Sequence, residues 1–326
     1  MLFNSTKLIL TNTMMIGVIM TICSNNWVSM WMGMELSLIS FIPMMYSIKI
    51  NHSSESMIKY FIVQSISSTM FLFSVICMLI GVNISNEMLL TIAMIIKLGS
   101  APFHNWVLSI IEPLEYNIVL IFLTIMKIPP LSVIYQVNSK FLMIPLILSL
   151  TISSISCINQ SSIRKTLAYS SIFNINLMLA SINKFNLTMS FLSVYSINMI
   201  MLIMMFKLIK INFINQMMFC EFSIWMKLSI WINLLSMSGF PPTIGFTTKL
   251  MIIQEMIYIK EFLLAMTMVM LSLLVLLFYT RMAFTSIMIS QSMGKWKTLT
   301  MLNLNHFLMM VSILMTPLIL TLKMVF

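Results

Sequence analysis

The chain has no aspartate, two arginines and six alanines in 326 residues, and only 8% of its residues are charged. A soluble domain carries ~25% charged residues, so this sequence cannot cover its own surface in water. Cysteine is scarce too. Cys23, Cys77, Cys157 and Cys220 are scattered, with no ligand spacing between any two. They point to neither a metal site nor a disulfide framework and read as small packing residues. Also missing are a phosphate-binding glycine loop, a nucleotide fingerprint, haem spacing and a nucleophile beside a base. Redox and hydrolytic chemistry, and with them a bound cofactor or metal, are not expected in this chain. Segments of ~10 residues with alternating polarity, which would mark a membrane β-barrel, are not seen.

What fills the chain is apolar sequence: 60% of residues are hydrophobic and the mean hydropathy is +1.02. Runs approaching the ~20 residues of a spanning helix recur throughout. They predict an all-α polytopic membrane protein with about 11 transmembrane helices, at 7–23, 26–46, 57–80, 86–104, 116–137, 141–158, 165–182, 187–210, 228–254, 261–281 and 303–324. The longest non-spanning stretches are 211–227 and 282–302, the first suited to a short helix along the interface. The first apolar run has no small-residue cleavage site and is not expected to be a removable signal. The 39 methionines, with abundant Ile, Asn, Phe and Lys, suggest an AT-rich genome and a code with a second methionine codon, as in animal mitochondria.

A net charge of +10 would suggest nucleic acid in a soluble protein. Here it describes topology, because Lys and Arg hold loops on the side of synthesis. On the eleven-span count, the side of the N-terminus holds eleven Lys and Arg, the opposite side four, and three lysines lie within spans. That places the N-terminus on the positive side, the matrix of a mitochondrion, and the C-terminus in the intermembrane space.

The three lysines within spans, with one glutamate, are the anomaly. A charge near the bilayer centre costs at least ~2.5–3.5 kcal/mol and is a functional hypothesis by default. Lys97 is followed by Gly99 and Pro102; Lys249 follows Gly239, Pro241, Pro242 and Gly245. Glycine and proline open helices at mid-depth, where freed backbone groups survive only against protein or a wet cavity. Spans one to five and six to ten therefore read as two five-helix repeats, 1–138 and 139–290, each broken at its fourth helix, with 291–326 as an added C-terminal helix. An odd helix number inverts the second repeat relative to the first. Lys127 precedes Pro129 and Pro130, which break normal helical bonding. Glu35 is the one acidic residue well inside a span and is the natural partner of a lysine. A lysine balanced between desolvation and a carboxylate can load and release protons near neutral pH. His104, two residues after Pro102, is placed to hand protons to the aqueous side. Each residue has a plainer reading: a lysine at a helix end, a neutral glutamic acid between helices, an interfacial histidine. The six tryptophans cluster near span ends, as an aromatic belt would.

Five stretches, WMGMELSLISFIP, KLGSAPFHNWV, MKIPPLSVIYQ, NQSSIRKTLAYSSI and LLSMSGFPPTIGFTTKLMIIQE, closely resemble the chain 2 family of NADH–ubiquinone oxidoreductase (mitochondrial respiratory complex I), whose members are antiporter-like membrane subunits. They run in the family's order over residues 26–255. Pro129 stands where the family usually has alanine, FTTKL replaces its leucine-proline, and 183–225 and the last seventy residues match only in hydropathy. The resemblance implies proton translocation across the mitochondrial inner membrane by a relay of Glu35, Lys97, Lys127 and Lys249. It also implies NADH, FMN, iron–sulfur clusters and ubiquinone elsewhere in the complex. The implied partners are other membrane-arm and supernumerary subunits and membrane lipids such as cardiolipin, with no nucleic acid. Two other readings share the buried charges: a stand-alone monovalent cation/proton antiporter, and a spacer whose lysines only lock helices together.

Overall fold

A computed structural model describes residues 5–47, 52–81, 85–137, 140–219 and 224–292. Every named element among them is helical. In a hydrocarbon solvent a helix satisfies its backbone groups within itself, so apolar runs with few internal glycines or prolines have no better choice. Contacts divide the chain into two compact units, Met1–Ser149 and Leu150–Phe326.

The first unit contains α1 (Ser5–Cys23), α2 (Trp27–Met45), α3 (Ser53–Ile80), α4 (Ser85–Leu98), α5 (Asn105–Ile111), α6 (Tyr116–Leu123) and α7 (Ile128–Val137), the last two joined through a 3-10 turn at Ile125–Lys127. α8 (Met143–Ile158) crosses into the second unit, which continues with α9 (Ile163–Ala180), α10 (Phe185–Ile209), α11 (Ile214–Phe219), α12 (Ile224–Ser238), α13 (Ile244–Tyr258) and α14 (Phe262–Ser292). Among the described residues, six stretches are long and apolar enough to cross a membrane: Ser5–Cys23, Trp27–Met45, Ser53–Ile80, Tyr116–Val137, Phe185–Ile209 and Phe262–Phe284.

The departures from the predicted spans have physical causes. The stretch 228–254 is two helices, α12 and α13, parted where Gly239, Pro241 and Pro242 stop the first. The span expected over 86–104 ends at Leu98, ahead of Gly99. Residues 282–292, expected to lie outside any span, continue α14, because no glycine or proline occurs between Glu261 and Ser292. The predicted span 303–324 lies outside the described residues. α9 is the least apolar of the long helices and also the most enclosed: every residue from Thr166 to Ala180 is buried. In lipid the polar helix belongs inside.

α2, which carries Met34 and Glu35, is set tightly against α1. A carbon added at Gly33 would meet Thr21 Cγ2 at 2.6 Å and the Gly17 carbonyl oxygen at 2.8 Å. Gly33→Val is expected to force the two backbones apart and to destabilise the unit by ~1–3 kcal/mol. The check is the thermal stability of the detergent-solubilised protein; an unchanged melting temperature would contradict this packing.

Candidate functional site

The two helix breaks have the same construction. α4 ends at Leu98, and Gly99 takes the left-handed conformation at φ 71°. Gly99 N–H donates to the Ile96 carbonyl at 3.1 Å and Ser100 N–H to the Ile95 carbonyl at 3.3 Å. α12 ends at Ser238, and Gly239 has φ 85°. Gly239 N–H donates to the Ser236 carbonyl at 3.3 Å and Phe240 N–H to the Leu235 carbonyl at 3.1 Å. A glycine enters this region without penalty, whereas another residue loses ~1–2 kcal/mol. This termination serves the carbonyls one turn back. The last two carbonyls of each helix, on Lys97 and Leu98 and on Met237 and Ser238, are left for other donors.

In each unit a lysine ammonium fills that role. Lys127 Nζ donates to the Leu98 carbonyl at 2.6 Å. It also lies over the rings of Phe122 and Trp106, 5.0 and 5.7 Å from their centroids. Lys249 Nζ donates to the Ser238 carbonyl at 2.6 Å and the Met237 carbonyl at 3.4 Å, and lies 5.6 Å from the centroid of Phe173. A helix C-terminus carries about half a negative charge and an aromatic face attracts cations, so both surroundings favour an ammonium. The remaining carbonyl, that of Lys97, accepts from Gln64 Nε2 at 3.5 Å.

Lys127 reaches this position because its own helix is broken. Pro129 and Pro130 have no N–H to donate to the carbonyls of Ile125 and Met126. The chain therefore tightens into the 3-10 turn, with Thr124 at φ −114° and ψ −74°. α7 then restarts at Ile128, its prolines in the first turn, where N–H groups have no helical partner anyway.

Lys97 and Lys127 are both buried and line one cavity with Tyr60, Gln64, Phe122 and Met126. It offers about 20 Å³ to water centres, and about one water fits in ~10–15 Å³ on that measure. The Lys97 ammonium rests 3.8 Å from Met34 Sδ. Glu35, next along α2, is half-buried. Among the described residues no ion pair joins it to Lys97, and its buried Oε1 has no hydrogen-bond partner. His104 stands at the N-cap of α5 without a side-chain capping bond and does not line the cavity.

Sequence reasoning matched Lys97 to Lys249. In the structure, the ammonium that does at Leu98 what Lys249 does at Ser238 belongs to Lys127. Sequence reasoning also missed Tyr60, Gln64, Trp106, Phe122 and Phe173. Gln64, a lone amide in the apolar run FIVQSI, was the available signal. Glu255, in the last turn of α13, is 7% exposed and pairs at 2.7 Å with the largely exposed Lys184.

Lysines buried at broken helices make this a helical membrane protein with a site built around positive charge. The profile of the transmembrane domain described as NADH:quinone oxidoreductase/Mrp antiporter matches residues 24–86 and 80–276, and the chain belongs to that family. It is 40% identical over 210 residues to NADH-ubiquinone oxidoreductase chain 2 of Anopheles gambiae, covering 61% of this chain and 62% of the relative. The Locusta migratoria protein of the same name is 34% identical over 223 residues, covering 65% of each. The chain thus spans somewhat under two thirds of the length of these relatives. A chain of the respiratory complex I of Thermus thermophilus has the same fold, with a TM-score of 0.78 at 16% identity over 97% of this chain and 78% of that one. So does a chain of an archaeal membrane-bound sulfane sulfur reductase, with a TM-score of 0.84 at 16% identity over 96% of this chain and 73% of that one.

Proposed function

We propose that this chain is a proton-translocating membrane-arm subunit of an NADH–ubiquinone oxidoreductase in the mitochondrial inner membrane. The reading is carried by a buried ammonium held at the carbonyl end of a broken helix, found in each unit. An ammonium in that position is bound by its charge, so loss of its proton weakens its hold and the site switches with protonation state. Glu35 and Lys97 act as an electrostatic pair. A change in their separation alters the proton affinity of Lys97 and drives a proton by way of Lys127 towards Lys249, with His104 passing protons to water. The driving reaction, oxidation of NADH and reduction of ubiquinone through FMN and iron–sulfur clusters, takes place in other subunits. In this reading the chain has eleven spans in two inverted five-helix repeats, 1–138 and 139–290, and a C-terminal helix in 291–326. Its N-terminus faces the matrix, and its partners are other membrane-arm and supernumerary subunits and lipids such as cardiolipin.

The test is the number of protons translocated per NADH after Lys97→Met in a complex that still assembles. A reduced yield is expected. An unchanged yield with normal assembly would sink the proposal.

A further inference from the structure

The second unit contains polar groups that the lysine relay does not use. Along the enclosed helix α9, Ser170, Ser171 and Asn174 are three and four residues apart. They share one face and climb ~6 Å along the axis. Level with Asn174 is a cavity with about 10 Å³ open to water centres, lined by Asn174, Tyr195, Asn198, Ser236, Thr248 and Lys249. That is about the space of one water. Tyr195 and Asn198, three apart on α10, face it together.

At the level of Ser170 and Ser171 stand two tyrosines. Tyr195 is beside Ser171. Tyr279, on α14, is beside Ser170 and has Tyr195 and Cys157 as further neighbours. The serines donate their own protons to the carbonyls of Leu167 and Ala168, at 3.0 and 2.6 Å, which leaves their oxygens as acceptors. The hydroxyls of Tyr195 and Tyr279, both residues being buried, lie against Ser171 and Ser170 respectively but make no well-formed hydrogen bond among the described residues, and the side-chain amides of Asn176 and Asn233 are likewise unsatisfied at both ends. Buried polar groups without partners are rare, and ordered water is their usual partner. Cys157 is next to the last residue of α8 and Tyr279 is two residues before Arg281, so the line of hydroxyls runs from Lys249 towards the end of the unit that bears Arg164 and Arg281.

We propose that Tyr195 and Tyr279, with intervening water, form a hydroxyl conduit between Lys249 and that aqueous end. The inference rests on the proton-translocating reading above. Each phenol oxygen takes a proton from the water or hydroxyl on one side as its own O–H proton passes to the other side. Rotation about the C–O bond then resets it. No tyrosine is oxidised and none holds net charge afterwards.

Tyr195→Phe and Tyr279→Phe remove one oxygen each and keep the ring. In the assembled complex, with Lys249→Met measured alongside, each is expected to slow NADH-driven proton translocation, by up to the ~10²-fold that a positioned proton-transfer group contributes. Native rates in both variants and in their double, with Lys249→Met inactive, would overturn the conduit and leave the parent reading standing. Native rates in Lys249→Met as well would remove the parent reading. Hydroxyl-radical footprinting of the unaltered complex, which marks side chains beside bound water, decides the matter if the variants fail to assemble. Labelled Tyr195 and Tyr279 beside an unlabelled Phe206 support the conduit, and unlabelled tyrosines overturn it.

Discussion

On the proton-translocating reading proposed above, Lys249→Arg is expected to produce a complex that assembles and does not pump. Arginine keeps a positive charge and N–H donors for the Ser238 and Met237 carbonyls, so the end of α12 remains satisfied. Gly239, whose missing side chain would lie 2.8 Å from Lys249 Cδ, leaves the side chain its path along the break. What arginine lacks is a neutral form: its guanidinium does not deprotonate in proteins. A relay that needs Lys249 to release a proton then stalls, and the rate falls by ~10²-fold or more. Lys249→Met separates this effect from stability. It also blocks the relay, but it strands two carbonyls in a water-poor interior at ~1–3 kcal/mol each. Proton uptake per NADH and the melting temperature of the complex, measured on both variants, distinguish charge from titration. An arginine variant that pumps at the native rate would show that Lys249 holds the helix end and carries no proton.

The second large effect is expected from a single methyl group. Gly245→Ala places Cβ on the carbonyl oxygen of Ser236, with the carbonyl carbon at 2.9 Å. Both sides of this contact are backbone, so no rotamer can relieve it, and α12 and α13 must separate. Overpacking of this kind costs ~1–3 kcal/mol where side chains can yield, and more is expected here. The damage reaches the site, because the Ser236 carbonyl is one of those that hold Gly239 at the end of α12. The observable is the amount of complex with NADH-dehydrogenase activity on a native gel, expected to fall severalfold. A normal yield would mean that the two helices are not in backbone contact at this point.

Much of the site was legible because membranes make charge conspicuous. Glu35, Lys97, Lys127 and Lys249 stand out in apolar sequence for the same reason that they are costly to bury. Gly99 and Gly239 announced the breaks, since a left-handed stop needs glycine. What could not be read was which ammonium reaches which carbonyl. Lys97 lies one residue from the break it was expected to serve, yet its side chain leaves α4 towards Met34, and Lys127 arrives from twenty-nine residues further on. Periodicity reports the face of a helix on which a side chain sits, and says nothing of the helix across from it. The aromatic partners were hidden in the same way: Phe122, Trp106 and Phe173 look like any buried ring until a cation is found above them.

The sequence by itself determined the solvent of this protein and the class of its fold, because hydropathy and the scarcity of charge are properties of composition and order, and a bilayer leaves an apolar chain little choice but the helix. It also marked the two breaks at Gly99 and Gly239, since glycine and proline act locally through backbone geometry and missing donors. The tertiary structure alone decided that the stops at Leu98 and Ser238 are each capped by a lysine from beyond the break, that Lys97 and Lys127 share a cavity, and that two buried tyrosine hydroxyls lie against the serines of α9. Those are pairings between distant segments, set by how helices pack, and packing is a property of all the segments at once.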